Sequence, residues 1–400
     1  MRLNREIKNI SMETDIAIEN TVREIIEDVR KNGDSAVQKY SQKFDKPFEM
    51  GEEVDSDFIR ILERAKLQIE EFHRKQIGGE FEIKKQNGVI MGQITRPLQR
   101  VAVYVPGGTA TYPSSVLMNV IPAQLAGVPE IAIFTPQPNN LVLAAAEVCG
   151  ITQIHQIGGA QAIAAAAYGT ETIPKFDKIV GPGNIYVATA KRLVYGVVDI
   201  DMVAGPSEVL IIADDTANPR YIAADLMSQA EHDELARAIL VTTSERIITE
   251  TEAELERQIQ SLSRKDIIEK SLKDYGAAIL VDTLDEAFDI SNDIAPEHLE
   301  ILAENPIELL PKVQNAGSIF LGENTPEPLG DYMSGTNHVL PTGGTAKFYS
   351  PLGVYDFVKS SSYSYYPRTA LSDLADDVIK FAELEGLDAH ANSVKVRFEK

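Results

Sequence analysis

Apolar positions follow two rhythms along this chain, and the change falls near Val101. Before it, apolar residues recur at helical spacing in a charged background, as in "SMETDIAIENTVREIIEDVRKNGDSAVQKYSQKFD". This predicts charged helices over the first hundred residues, with Ser11 or Thr14 as caps and Gly33 as a stop. After it, short β-rich runs ("RVAVYVP", "EIAIFTP", "TQIHQIGG", "DKIVGPG") alternate with helical patterns ("SSVLMNVIPAQLAGV", "NNLVLAAAEVCG", "AQAIAAAAYG", "NIYVATAKRLVYG"). Strands separated by helices of this length need crossover connections, and hence a parallel sheet. A second series starts at Ser207 with "SEVLIIADD", "PRYIAADLMSQAEH", "RAILVTTS", "ITETEAELERQIQSLS", "AAILVDT", "LDEAFDISNDIAPEHLEILA" and "AGSIFLG". It predicts a second α/β unit. After about Tyr349 the rhythm is lost, and the tail reads as a loop followed by one helix that needs something to pack on.

A chain of 400 residues is long for one core and predicts two principal domains. The net charge of −22 excludes the basic stripe that a nucleic-acid surface requires, and a small-molecule partner is expected instead. No apolar run approaches the ~18–20 residues that span a membrane. The N-terminal "MRLNREIKNISMETD" lacks the apolar stretch of a signal peptide. With Cys149 as the single cysteine, no intrachain disulfide or thiolate zinc cluster can form, so a cytoplasmic protein is expected.

Three glycine turns follow predicted strands: "VPGGTATYPSS", "IGGAQ" and "VGPGN". Ligands of open parallel sheets bind at carboxyl ends of strands, where glycine admits the ligand and a helix N-terminus offers N–H groups to phosphate. None of the turns carries the G-x-G-x-x-G fingerprint, but together they suggest a nucleotide-sized crevice.

Among the six histidines, His73 in "EEFHRKQ" reads as a solvated helix face and His155 as a strand residue. Neither is given a role. In "SQAEHDE", Gln229 and His232 are either polar residues at a helix end or half of a metal site, three apart on one face. In "APEHLE", Pro296 and Glu297 suit a helix start, whereas Glu297 and His298 together suit acid–base chemistry. The glycine-rich stretch "GDYMSGTNHVLPTGG" is too long for a simple connector. Its Asp331, with a histidine nitrogen, is zinc-compatible, and together with Gln229 and His232 would make a mixed O/N site.

These motifs, with "YVPGG", "GGAQAIAAAAYGTE", "KIVGPGN", "MVAGPSEVL" and "AHANSV", occur in an order and spacing that resembles the histidinol dehydrogenase family from about Thr21 to Arg397. The resemblance implies two doubly wound, incomplete Rossmann-like parallel-sheet domains, a helical N-terminal region and a C-terminal dimerisation tail. Residues 1–20 would be an N-terminal arm. Residues 21–100 and 208–348 would form the domain with metal and catalytic residues, residues 101–207 the domain with NAD contacts, and residues 349–400 a tail crossing to the partner of an intertwined homodimer. It further implies one Zn2+ per subunit on Gln229, His232, Asp331 and His390, and Glu297 and His298 as the catalytic pair. Ser207, His338 and Glu385 would contact L-histidinol, along with His298 and the metal ligands, while Tyr104, Gln161 and Asn184 would contact NAD. His390 and Glu385 would serve the other subunit's site. Glu234 stands where the family usually has proline.

The implied activity is oxidation of histidinol to histidine through the aldehyde, with two hydrides passing to two NAD molecules. Aldehyde oxidation through a thiohemiacetal would need a nucleophilic cysteine, and Cys149 sits in an apolar helical pattern. The rivals are a related zinc- and NAD-dependent dehydrogenase acting on another small polyol or amino alcohol, and a non-catalytic nucleotide-binding protein.

Overall fold

A strand buried on both faces cannot alternate polar and apolar residues, so it reads as an unbroken apolar run. The runs after Val101 are such strands. This computed structural model describes residues 2–8, 16–45, 54–107, 112–203 and 205–399. Helices α1 (Ile16–Phe44) and α2 (Ser56–His73) come first, then strands β1 (Phe81–Lys84) and β2 (Ile90–Pro97). The first α/β series is β3 (Arg100–Tyr104), α3 (Pro113–Ala126), β4 (Glu130–Phe134), α4 (Asn140–Val148), β5 (Ile154–His155), α5 (Gly159–Tyr168), β6 (Lys178–Val180), α6 (Ile185–Val194) and β7 (Asp199–Ile200). The second begins with β8 (Glu208–Ala213), α7 (Pro219–Ala230), β9 (Arg237–Thr242), α8 (Glu245–Gln258), α9 (Lys265–Tyr275) and β10 (Ala277–Leu280). It ends with α10 (Leu284–Ile294), β11 (His298–Leu302), α11 (Pro306–Leu309), β12 (Ser318–Leu321) and α12 (Glu327–Tyr332). Strand β13 (Val358–Tyr365) and helices α13 (Arg368–Ser372), α14 (Ala375–Leu384) and α15 (Asp388–Lys395) close the chain.

Two compact units result: Met1–Gln76 with Leu98–Phe357, and Ile77–Pro97 with Val358–Lys400. The first holds two five-stranded parallel sheets, ordered β5-β4-β3-β6-β7 and β10-β9-β8-β11-β12. Counted from its own first strand, each reads 3-2-1-4-5. The strand order therefore reverses between β3 and β6 and again between β8 and β11, the points where such sheets open a crevice.

Helices cover both faces of each sheet. Val101 and Val103 pack with Leu62, Val116 and Val142 from α2, α3 and α4. The alternate Ala102 and Tyr104 pack with Val22 and Ile26 of α1 and the alanine-rich α5. In the second sheet, Val209 and Ile211 meet Leu226 and Leu255, while Leu210 and Ile212 meet Phe288. Each such aliphatic side chain contributes roughly 1.5–3 kcal/mol by leaving water.

Three expectations need correction, whereas the one at Gly33 holds. At Gly33 the helical backbone does break, with φ +53° and ψ −133°, so two helices meet at a kink within Ile16–Phe44, and the Glu171 carboxylate fills the space of a Cβ while accepting the Asp34 N–H at 2.8 Å. Ser11 and Thr14 lie outside the described residues. His73 is buried, not solvated; it continues the stripe Leu62, Ala65, Ile69, and its Nδ1 lies 2.8 Å from the Ile69 carbonyl. Residues before Val101 are not all helical, because β1 and β2 pair antiparallel there.

The third concerns the tail. In the second unit β13 pairs antiparallel with β2 to complete a sheet ordered β1-β2-β13, and three helices follow where one was expected. Strand β13 is exposed along nearly its whole length, so no hydrophobic pattern announced it. Among the described residues no helix is long and apolar enough to cross a membrane.

Candidate active site

The site is built on the amino ends of β8 and β11. Helix α10 ends at Ile294, and Ala295, with φ +53°, turns the chain so that Pro296 and Glu297 lead straight into β11. "APEHLE" is therefore a strand entry, not a helix start. On one side, Gly317 and Ser318 donate to the Pro296 and Glu297 carbonyls at 2.9 and 2.8 Å. On the other, a single residue of β8 holds both the Glu297 and the His298 side chains. The Glu208 N–H donates to Glu297 Oε2 at 2.9 Å, and His298 Nδ1 donates to the Glu208 carbonyl at 3.1 Å.

That second bond fixes the tautomer: Nδ1 carries the proton and Nε2 keeps its lone pair. Burial holds the His298 imidazole down at about 4, so it is a neutral base at physiological pH. Burial pushes the Glu297 carboxyl well above its ordinary value, with repulsion from Glu208, Asp331 and Glu327 adding to it.

Glu208 is itself anchored. Its carboxylate accepts from Arg237, directly across on β9, through Nε at 2.9 Å and through a second guanidinium nitrogen. The other oxygen accepts the Gly343 N–H at 3.0 Å, while Thr342 Oγ1 accepts the Gly205 N–H at 2.6 Å. These bonds fasten the loop that carries His338.

His298 Nε2 looks onto more carboxyls, 3.7 Å from Glu327 Oε1. His298, Glu327 and Asp331 each bring a donor atom within 4.8 Å of the others. Asp331 lies 3.6 Å from His338 Nδ1. Burial pushes the Asp331 carboxyl up, but His338, His298 and His232 together bring it below its usual value. Burial, then the charge of Asp331, raises Glu327 to about 8. Behind it the Glu327 N–H donates to Glu300 Oε1 at 2.9 Å, and burial lifts Asp225, beside Glu300, to about 6.

Gln229 ends α7 here, fully buried, and neither atom of its amide has a partner. Leaving a buried polar atom unpaired costs roughly 1–3 kcal/mol. A divalent cation would satisfy the amide oxygen: that oxygen, Asp331 and Glu327 oxygens and a nitrogen of His232 make a donor set suited to zinc.

Asn184, Ser207, Gln229, His232, Glu297, His298, Asp331 and His338 line one cavity of about 400 Å³, together with Gly107 and Gly183 of the glycine turns. The carboxyl end of the first sheet thus faces the amino end of the second across this space. Tyr104 and Gln161 are buried outside its lining. The Tyr104 hydroxyl accepts the Gly159 N–H at 3.1 Å, Asn184 caps α6, and the Gln161 amide nitrogen has no partner. Glu385 and His390 belong to the second unit and are exposed, at the end of α14 and on α15.

Sequence reasoning missed Glu208, Glu300 and Glu327. Two signals were present: Glu300 is two residues beyond His298 on one strand, and Glu327 one helical turn before Asp331.

The family model for histidinol dehydrogenase matches residues 8–398. The chain belongs to the histidinol dehydrogenase family. The histidinol dehydrogenase of Lactococcus lactis is 61% identical over 96% of this chain and 93% of its own. That of Clostridium acetobutylicum is 56% identical over 95% and 92%. The crystal structure of histidinol dehydrogenase from Elizabethkingia anophelis superposes with a TM-score of 0.89 at 39% identity, over 98% of this chain and 94% of that one. This membership makes the chain an oxidoreductase and leaves the rival dehydrogenase of another substrate unfavoured.

Proposed function

We propose that the chain oxidises L-histidinol to L-histidine in the cytoplasm, in two successive NAD-dependent steps at one zinc-bearing site. The observation that carries the reading is the pair Glu297–His298, held by the main chain of Glu208 beside the unpartnered Gln229 amide and opposite the glycine turns. Gln229, His232 and Asp331 would hold the zinc, with His390 supplied by the tail of a second copy in an intertwined homodimer. Bound zinc would orient the substrate, and bound NAD would accept the hydride of each oxidation.

The chain's own residues move the protons. His298 Nε2 takes the hydroxyl proton of histidinol as its carbon loses hydride, which gives the aldehyde. Glu297 Oε2 is committed to the Glu208 N–H, so Oε1 takes a proton from the water that adds to the aldehyde. His298 returns its first proton to the aldehyde oxygen as the water adds, which completes the gem-diol and frees Nε2; it then takes a hydroxyl proton from the gem-diol as the second hydride leaves, and the acid forms. Ser207, His338 and the partner-supplied Glu385 bind the substrate's polar groups; Tyr104, Gln161 and Asn184 support the NAD crevice.

The covalent route is disfavoured on two grounds. Cys149 is buried at the end of α4, with its thiol pushed up to about 12 by burial, and it lines none of the site's cavity. The deciding experiment is stoichiometric: each histidinol consumed yields two NADH with little free aldehyde. One NADH per substrate, or an accumulating aldehyde, overturns the reading.

A further inference from the structure

We infer that Lys191 and Asp201, a buried ion pair outside the catalytic machinery, are positioning residues for the dinucleotide, acting through the single peptide unit of Gly181. The inference rests on the NAD reading above. Gly181 opens the "GPGN" turn with φ +109°, and a Cβ there would stand 2.1 Å from the Tyr104 carbonyl oxygen. The turn therefore presses directly on the carboxyl end of β3, in a conformation that only glycine adopts readily.

Such a turn needs its own fastening, since neither polar group of Gly181 has a place in the sheet ladder. The Gly181 N–H donates to Asp201 Oδ2 at 2.7 Å, and Lys191 Nζ donates to the Gly181 carbonyl at 2.8 Å. Lys191 and Asp201 close the ring by pairing with each other, both side chains almost wholly buried, while Asp201 Oδ1 also accepts the Met202 N–H at 2.7 Å. Lys191 comes from α6 and Asp201 follows β7, so the ring ties helix, edge strand and turn together.

Stability alone is a weak reason for this arrangement, because a buried ion pair rarely outperforms well-packed apolar residues. What the ring adds is orientation. It sets the direction of the chain entering Gly183 and Asn184, and hence the N-terminus of α6, which lines the same cavity of about 570 Å³ as Lys191, Asp201, Ser207 and His338. The pair is also neutral as a whole, so no uncompensated carboxylate faces an anionic cofactor.

The test begins with calorimetric titration of the zinc-loaded wild-type dimer with NAD; absence of binding there sinks the NAD reading itself. Given binding, Lys191→Met, Asp201→Asn, the double variant and Lys191→Arg are compared for NAD affinity, for KM of NAD and histidinol, and for zinc content. The expected result is a selective loss: kcat/KM for NAD falls roughly 10²-fold in Lys191→Met, KM for histidinol and zinc content stay at wild type, and Lys191→Arg recovers most of the loss. The double variant carries no unpaired buried charge, so it folds even where a single variant does not, and it shows the same selective loss. Wild-type NAD affinity in the folded double variant, or equal losses for NAD and histidinol, would overturn the assignment.

Discussion

If Glu297 activates water as proposed, replacing it by Gln should separate the two oxidations with little structural disturbance. The amide has the volume of the carboxyl, and its oxygen can still accept the Glu208 N–H that now reaches Oε2 at 2.9 Å. A neutral acceptor weakens that bond by about 1 kcal/mol, while relief from holding a carboxyl in a fully buried site acts in the opposite direction. The Tm should therefore stay within about 2 °C of wild type. Catalysis should divide. In the proposed mechanism alcohol oxidation needs only the lone pair of His298 Nε2, whereas hydration of the aldehyde needs a base at Glu297 Oε1. General-base removal costs ~10²–10⁴-fold, equivalent to ~3–5 kcal/mol of barrier. The assay is stopped-flow NADH absorbance, started in one series with histidinol and in another with the aldehyde. Aldehyde oxidation should slow by that factor and alcohol oxidation by far less, while His298→Asn slows both. Equal sensitivity of the two half-reactions to Glu297→Gln would refute the assignment of the water-activating role.

Cys149→Ala should leave both half-reactions near wild type and cost roughly 1 kcal/mol of stability through lost packing; selective loss of aldehyde oxidation in a folded variant would revive the covalent route. In metal-free protein, Asp225 and Glu327 have folded values raised to about 6 and about 8, so the stability they confer is present in acid and lost as pH rises through that window. Chelated protein should accordingly show a Tm that declines from pH 5 to pH 9, and a rising Tm over this range would contradict the buried carboxyl cluster. His232→Asn and His390→Asn homodimers should each be nearly inactive, yet unfolding and reassembling them together should restore up to about one quarter of wild-type activity, from the intact site of each mixed dimer. No recovery, in material shown by mass to contain mixed dimers, would place His390 in its own chain's site.

The sheets were legible because a parallel strand announces itself as an apolar run, from "RVAVYV" to "SIFLG". The site was legible in part, through residue types that have few structural uses together, such as Asp331 and His338 in one glycine-rich loop. What stayed hidden had physical causes. Pro296 before Glu297 suits a strand entry as well as a helix start, and only the left-handed turn at Ala295 decides between them. His73 was masked by charged neighbours, although its spacing from Leu62, Ala65 and Ile69 marks the buried face. Glu208 and Arg237 meet across strands separated by a helix, so no local pattern joins them. Strand β13 is polar and exposed, which leaves its pairing with β2 without a sequence signal.

The hold of Glu208 on Glu297 and His298 has an evolutionary consequence. Because the contacts are main-chain groups, the proposed catalytic pair is indexed by the register of β11 on β8, with His298 opposite Val209. Substitution at position 208 leaves both hydrogen-bonding groups in place, so drift there erodes the Arg237 anchor before it disturbs proton transfer. A deletion of one residue between 296 and 302 is another matter, since a slip of one position turns every side chain to the opposite face of the sheet. Loops far from this edge can lengthen freely. The 331–343 segment has less freedom, since Asp331 faces His298 and the Gly343 N–H is bound to Glu208, so a redesign of specificity has to keep both ends of that loop fixed and work on the residues between them.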